Sequence, residues 1–507
     1  MATSDNKKHN RLEKIRIGLI NHSNLQVECE RSIAYELIDY FSFYVPGYKY
    51  MPAYKNRVWD GKIKLFNQNG QLPTGLYQHL LYFCKQNNYE TELMESKYGY
   101  PDETNTINPQ LLFDFIKGLN LPFEPRDYQF DAVMNGLIKK RAILLSPTGS
   151  GKSLIIYILA TYWLRMLTHG VKYPHAGRVL VIVPTTSLVE QMYNDFVNYG
   201  CNEKAIHRIY SGKDKNINSS IVVSTWQSIY KMPKDWFEQF GMVIGDECHG
   251  FKSKSLMSIM NKCTEAAYRF GTTGTLDGAL THELVLQGLF GKITNVTTTK
   301  SLQENNTLAQ LEITRLTLQY DSQVRKYWGK RKYQDEIDYI VTYEKRNKFI
   351  TNLALSQEGN TLVLFQFVEK HGQPLFNMIR DKASDNRKIF YVSGHVDTND
   401  REQIRNITEK QKNAIIVASL GTFSTGINIR NLHNIIFASP SKSQIRVLQS
   451  IGRGLRKSDN GKATKLFDLV DDISHLTYKN FALLHGFERL KIYKKEKFNY
   501  KTYKVDM

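Results

Sequence analysis

Residues 141–153 read RAILLSPTGSGKS, and LIIYILATYWL (154–164) follows at once. An apolar run, a glycine-rich turn and a helical apolar segment stand in immediate succession. Phosphate oxygens need several converging backbone N–H donors, and a glycine-rich turn entering a helix N-terminus supplies them. Gly149 and Gly151 permit the tight path, with Thr148 and Ser150 in the same turn. Lys152 can reach the β- and γ-phosphates, and the Ser153 hydroxyl can bind Mg2+. Ser146 stands where the usual pattern has its first glycine. The strand before and the helix after disfavour a chance GKS in a surface loop, so the chain is expected to bind a nucleoside triphosphate.

The same rhythm extends outward from that turn. VLVIVP (179–184), SIVVST (220–225), MVIGDE (242–247) and YRFGTTG (268–274) read as further buried strands, each followed by a helical segment or a polar loop. Apolar strands alternating with helices predict an α/β fold, a parallel sheet covered on both faces. A second series follows: NTLVLFQF (360–367), KIFYVSG (388–394), NAIIVAS (413–419), NIIFASP (434–440) and ATKLFDLVDD (463–472). Two sheets of similar size are therefore expected in tandem, with TTTKSLQENN (297–306) at the junction. The first hundred or so residues break the rhythm and read as a small α+β domain. HLTYKNFALLHGFERLKIYKKEKFNYKTYK (475–504) reads as a short helical extension. The expected divisions are 1–115, 116–300, 301–473 and 474–507.

A chain of 507 residues exceeds one ordinary core, and its net charge of +19 favours anionic partners, nucleic acid being the commonest. The five cysteines form no CxxC pair, which fits a reducing compartment. MATSDNKKHN at the start has no apolar signal core, and the apolar run near Leu154–Trp163 is too short to span a bilayer. The expectation is a soluble, cytoplasmic protein with no membrane partner.

IGDECHG (244–250) offers Asp246, Glu247, Cys248 and His249 as consecutive candidate ligands or catalysts. A Cys–His nucleophile needs an orienting partner and an acyl-transfer site, and zinc needs two further ligands. The sequence supplies neither. An acidic pair at a strand end is what a P-loop enzyme requires, with Asp246 holding Mg2+ and Glu247 orienting the attacking water.

The motifs GSGKS, PTTSLVEQ (184–191), STWQS (224–228), DECH, GTTGT (271–275), STGINI (424–429) and QSIGRGLRK (449–457) stand in the order of superfamily 2 helicases. The chain resembles that superfamily from about Phe123 to Asp472. WDGKIKLF (59–66), the segment 226–242, FSTGINIRNLH (423–433) and EKFNY (496–500) look like those of phage UvsW-type DNA helicases. The resemblance implies two RecA-like domains with ATP between them. It also implies an ATP-dependent DNA helicase or translocase with 3′→5′ motion, remodelling forks, Holliday junctions and R-loops in phage recombination, repair and replication. By the same resemblance Arg126 and Gln129 recognise adenine, and Gln449, Arg453 and Arg456 face the γ-phosphate. Gly426 and Asn428 approach the ribose or the metal-bound water. His249, Thr273 and Thr275 link hydrolysis to movement, while Pro184, Thr185, Thr225, Trp226, Ser393, Gly394 and Thr425 contact the DNA backbone.

Residues 44–64 interleave aromatic side chains, Trp59 among them, with cations including Lys62, a mixture suited to stacking plus phosphate contact or equally to a small domain's core. Residues 1–115 carry 13 basic and 13 acidic residues, so that region is not basic as a whole. The segments 325–348 and 491–504 are basic, as a solvated helix face also is. The expected partners are single-stranded, duplex and branched DNA, with RNA–DNA hybrids and single-strand-binding or recombination proteins as further candidates. An RNA helicase and a passive nucleic-acid binder are the rival readings; intact Lys152, Asp246, Glu247, Arg453 and Arg456 oppose the second.

Overall fold

Two sheets of seven strands each set the architecture. The computed structural model describes residues 14–98, 106–168, 176–211, 216–276, 278–305, 308, 310–328, 331–393, 410–421, 432–440 and 463–507. The chain forms two compact units, Met1–Leu145 with Ser153–Val296 and Ser146–Lys152 with Thr297–Met507.

The first unit opens with β1 (Lys14–Leu19), β2 (Asn24–Glu28), β3 (Ser42–Tyr44), β4 (Lys62–Lys64), β5 (Gln71–Pro73) and β6 (Glu90–Leu93). A mixed sheet runs β5-β2-β1-β6, and β3 and β4 form a separate antiparallel pair. Ile15, Ile17, Leu25 and Val27 alternate with exposed residues and pack on Ile33, Leu37, Leu80 and Phe83 of two helices. One face is buried and one is wet, as period-two alternation requires.

The larger sheet of this unit contains β7 (Arg141–Leu145), β8 (Arg178–Val183), β9 (Ile206–Ile209), β10 (Ile221–Thr225), β11 (Phe240–Asp246), β12 (Tyr268–Thr273) and β13 (Ile293–Asn295). Its order is β13-β7-β12-β11-β8-β10-β9, with every pairing parallel. β10, β11 and β12 are buried along their whole length, which is why they read as unbroken apolar runs. Helix Lys152–Thr168 covers one face through Ile155, Leu159 and Trp163.

Polar contacts fasten the small sheet to the large one. Arg269 on β12 is fully buried and donates to Ser23 Oγ at 2.8 Å and to the carbonyls of Met260 and Cys263 at 2.6 and 2.8 Å. Arg141, at the start of β7, donates to the His22 carbonyl at 2.7 Å. Leu284 of helix Leu280–Phe290 completes the small domain's core. Burial pushes the Arg269 guanidinium down to about 10, still cationic at neutral pH.

The second unit contains β14 (Leu311–Gln319), β15 (Thr361–Phe365), β16 (Ile389–Val392), β17 (Ile415–Ser419), β18 (Asn434–Phe437), β19 (Thr464–Asp472) and β20 (Tyr500–Asp506). All pairings are parallel in the order β16-β17-β15-β18-β19-β14-β20. Buried Arg346–Asp471 and Arg489–Asp468 pairs, each at 2.7 Å, tie β19 to the helices around it. The tandem α/β architecture is the expected one. The tail differs in part from the helical extension read in sequence: helix Phe481–Lys495 is followed by β20, which adds an edge strand beside β14.

Candidate functional site

β7 runs into the loop Ser146–Gly151 and then into helix Lys152–Thr168. Gly149 and Gly151 hold φ of +85° and +81°, a region closed to most side chains. The loop is braced from within. The buried Ser146 hydroxyl bonds that of Ser150, and Ser150 donates to the Pro147 carbonyl at 2.7 Å. Lys152 Nζ donates to the Ser146 carbonyl at 3.3 Å, and Thr148 is half-buried at the crest. The serine in the first glycine position therefore acts as a crosspiece. Ser153 Oγ lies 3.0 Å from the Tyr199 hydroxyl.

The acidic pair sits at the carboxyl end of β11. Register places Asp246 beside Thr272 and Thr273 beside Leu145, so β12 separates the strand of the phosphate loop from the strand of the acids by one position. Asp246 is buried and accepts a 2.7 Å hydrogen bond from Thr272 Oγ1. Glu247 adopts a left-handed conformation, φ +50° and ψ +48°, uncommon for a residue with a side chain. That turn leads from the strand into Cys248–Lys252. His249 Nδ1 lies 3.0 Å from Thr273 Oγ1 and 3.3 Å from Glu247 Oε2, and Thr273 Oγ1 is 3.0 Å from the Thr275 carbonyl. Cys248 is fully buried, and a Cβ on Gly271 would fall 2.9 Å from its sulfur. Cys248 thus packs against the GTTGT strand, and glycine at 271 makes that approach feasible.

The other sequence-selected residues fall as follows. Gln129 Oε1 accepts the Arg126 N–H at 2.9 Å, closing the first turn of helix Asp127–Lys139, and Arg126 reaches the Tyr128 hydroxyl at 3.0 Å. Pro184 and Thr185 follow β8 and Thr225 ends β10, neighbouring strands in register at Val183 and Thr225. Gln227 donates to the Pro184 carbonyl at 3.4 Å, Thr225 Oγ1 is 3.0 Å from Ser228 Oγ, and Trp226 begins the turn between them. The nucleotide motifs and these loops therefore share the carboxyl edge of one parallel sheet, where such folds place ligands. Ser393 is buried just after β16 in the second unit. Gly394, Thr425, Gly426, Asn428, Gln449, Arg453 and Arg456 lie outside the described residues. Sequence reasoning missed Thr272 and Tyr199; the first stands inside GTTGT, one position from a selected residue.

In the small domain Tyr44 and Tyr48 stack at 4.5 Å, Lys62 Nζ lies 5.1 Å above Tyr44, and Trp59 Nε1 donates to the Lys62 carbonyl at 2.8 Å. A cavity of about 500 Å³ opens beside Trp59, lined by Tyr54 and the cations Lys49, Lys55 and Arg57. Tyr50 is 81% exposed, so part of this aromatic set faces solvent.

Family models describe the two sheets. The model of the type III restriction enzyme res subunit matches residues 122–278, and that of the helicase conserved C-terminal domain matches 344–458. With tandem parallel sheets, a phosphate loop and a DECH box, they define a superfamily 2 helicase. The N-terminal model of the DNA helicase UvsW matches residues 14–93. The ATP-dependent DNA helicase uvsW of Enterobacteria phage T4 is 36% identical over 509 residues, across 96% of this chain and 98% of that protein. The crystal structure of T4 UvsW aligns over 97% of this chain and 99% of its own, with 34% identity and a TM-score of 0.50. The DNA 3'-5' translocase XPB2 of Sulfurisphaera tokodaii is 26% identical over 406 residues, 73% of this chain and 85% of that one. The chain belongs to the UvsW family of ATP-dependent DNA helicases. No helix among the described residues is long and apolar enough to cross a membrane.

Proposed function

We propose that the protein hydrolyses ATP with Mg2+ and uses the energy to move 3′→5′ along DNA, unwinding and remodelling branched structures in a phage-infected cytoplasm. The observation that carries this reading is the placement of Asp246 and Glu247 at the end of β11, joined through His249 to Thr273 on β12, the strand that lies between β11 and the strand feeding the phosphate loop. Lys152 and the loop N–H groups hold the phosphates. The Ser153 hydroxyl and the Asp246 carboxylate suit Mg2+, which binds through few protein oxygens and keeps water. When bound, the ion neutralises charge between the β- and γ-phosphates. Glu247, turned out of the strand, orients the attacking water.

Arg453 and Arg456 stabilise charge on the transferred phosphoryl, an effect worth about 10³- to 10⁵-fold for such arginines. Gln449, Gly426 and Asn428 complete the nucleotide site, and Arg126 with Gln129 read adenine. Pro184, Thr185, Thr225, Trp226, Ser393, Gly394 and Thr425 hold the tracked strand through its phosphates, so binding depends on salt and shape rather than base identity. Trp59 and Lys62, beside a cationic cavity, give the small domain a contact to branched DNA. The 3'-5' translocase at 26% identity supports the direction of motion.

The test compares ATPase stimulation by single-stranded, duplex, forked and four-way DNA, with RNA alongside. Forked and four-way DNA should stimulate most. Lys152→Ala and Glu247→Gln should abolish stimulated hydrolysis while DNA binding persists. Full activity in either variant, or stimulation by RNA alone, would overturn the reading.

A further inference from the structure

The second unit carries an aromatic slot that the nucleotide and backbone motifs do not use. Helices Ser322–Trp328 and Tyr333–Thr342, with Lys370, flank an open groove of about 590 Å³. Trp328 and Tyr339 stack in its wall at 4.2 Å with ring planes 15° apart. Tyr327 is 62% exposed beside them, and the Arg331 guanidinium lies 4.6 Å above its ring and 5.8 Å from that of Trp328.

A purely structural aromatic cluster would turn its rings inward. Tyr339 and Trp328 do so, packing on the second unit's core, but Tyr327 and Arg331 beside them are exposed to solvent. Charge selects the ligand. Arg325, Lys326, Arg331 and Lys332 crowd eight residues of sequence around the slot, against Asp335 and an Asp338 already neutralised by Lys370 at 2.7 Å. Lys370 follows the carboxyl end of β15 and Ser393 that of β16, strands separated only by β17, so the slot shares its sheet edge with a proposed strand contact.

We propose that this slot takes an unpaired nucleobase of the DNA strand, stacked on the exposed ring of Tyr327, which stands edge-on to Trp328 at 76°, with Arg331 spanning ring and phosphate. Flat aromatic faces and a guanidinium accept any base, so the slot adds grip without sequence preference. It rests on the DNA-motor reading and extends it: one base is held on the second motor unit apart from the backbone contacts.

The test uses the full chain and a fluorescent oligodeoxythymidylate. Tyr327→Ala and Arg331→Ala should each weaken single-strand binding by about tenfold, with duplex affinity and basal ATPase unchanged. Arg331→Ala should also lower the slope of log affinity against log salt by roughly one phosphate's share, about 0.7. An oligonucleotide carrying 5-iododeoxyuridine should crosslink to Tyr327 or Trp328 on irradiation. Unchanged single-strand affinity in both variants, or crosslinks that all fall elsewhere, would overturn the slot. DNA-stimulated ATPase in the unaltered protein remains the separate measure of the motor reading.

Discussion

His249 Nδ1 lies 3.0 Å from the hydroxyl of Thr273, joining the turn after β11 to the end of β12. The same ring is 3.3 Å from Glu247, the carboxylate proposed to orient water. In the proposed mechanism a change at the γ-phosphate that moves Glu247 reaches Thr273 through this imidazole, beside a longer direct contact of 3.5 Å. His249→Ala should leave measurable DNA-stimulated ATPase but lower base pairs unwound per ATP by about tenfold, equivalent to about 1.4 kcal/mol of lost coupling. Paired ATPase and strand-separation assays check this. Equal loss in both assays would make His249 part of hydrolysis rather than of coupling.

Ser146 predicts a subtler effect. Its hydroxyl bonds Ser150 across the loop and its carbonyl receives Lys152. Ser146→Ala removes only the first contact. A neutral hydrogen bond contributes about 1 kcal/mol net, so KM for ATP should rise roughly fivefold with kcat little changed. Ser146→Gly restores the commoner glycine but adds backbone freedom, and its KM should be no lower than that of Ser146→Ala. Steady-state kinetics on saturating DNA distinguish the two.

The joint between Arg269 and the loop at Ser23 governs how the small domain can be probed. Truncating Arg269 would remove the guanidinium from Ser23 Oγ and from the Met260 and Cys263 carbonyls, leaving that buried site only longer bonds, Ser23 Oγ to Met260 at 3.3 Å and to Cys263 at 3.5 Å. Each such loss costs about 1–3 kcal/mol, so Arg269→Ala should destabilise the first unit by about 3 kcal/mol or more. Deleting residues 1–115 would strip His22 from Arg141 and Ser23 from Arg269 and uncover Leu284. We expect that deletion to lower the unfolding midpoint by several degrees, so a loss of activity would not by itself report on DNA recognition. Trp59→Ala in the full chain, which leaves that joint untouched, should reduce preference for forked over plain single-stranded DNA at an unchanged midpoint.

These contacts also show where the sequence was informative. A phosphate loop is local, so SPTGSGKS declares itself, and buried parallel strands announce themselves as apolar runs. Arg269 and Ser23 are 246 residues apart, both polar, and carry no periodic signal that would pair them. β20 was hidden for the opposite reason: its residues are almost all exposed, and KTYKV on an edge mixes two lysines with threonine, tyrosine and one valine instead of forming a hydrophobic run. The left-handed turn at Glu247 is invisible in DECH because the motif contains no glycine at that position.

Glu336 gives a pH test of the second unit. Its carboxylate is buried and accepts the backbone N–H groups of Phe481 and Ala482 and the Asn480 amide at 2.7–3.0 Å, holding the start of helix Phe481–Lys495. Burial raises its pKa above the usual 4.5 even though those donors pull it down. A carboxyl raised on folding binds its proton more tightly in the native state, so its contribution to stability is complete below about 4.5 and declines as pH rises through the folded value. Glu336→Gln cannot titrate. The stability advantage of the parent chain over this variant should therefore be largest near pH 4.5 and shrink toward neutrality. Urea unfolding at stepped pH measures that difference directly, and a gap that widens with pH would assign the proton linkage to another group.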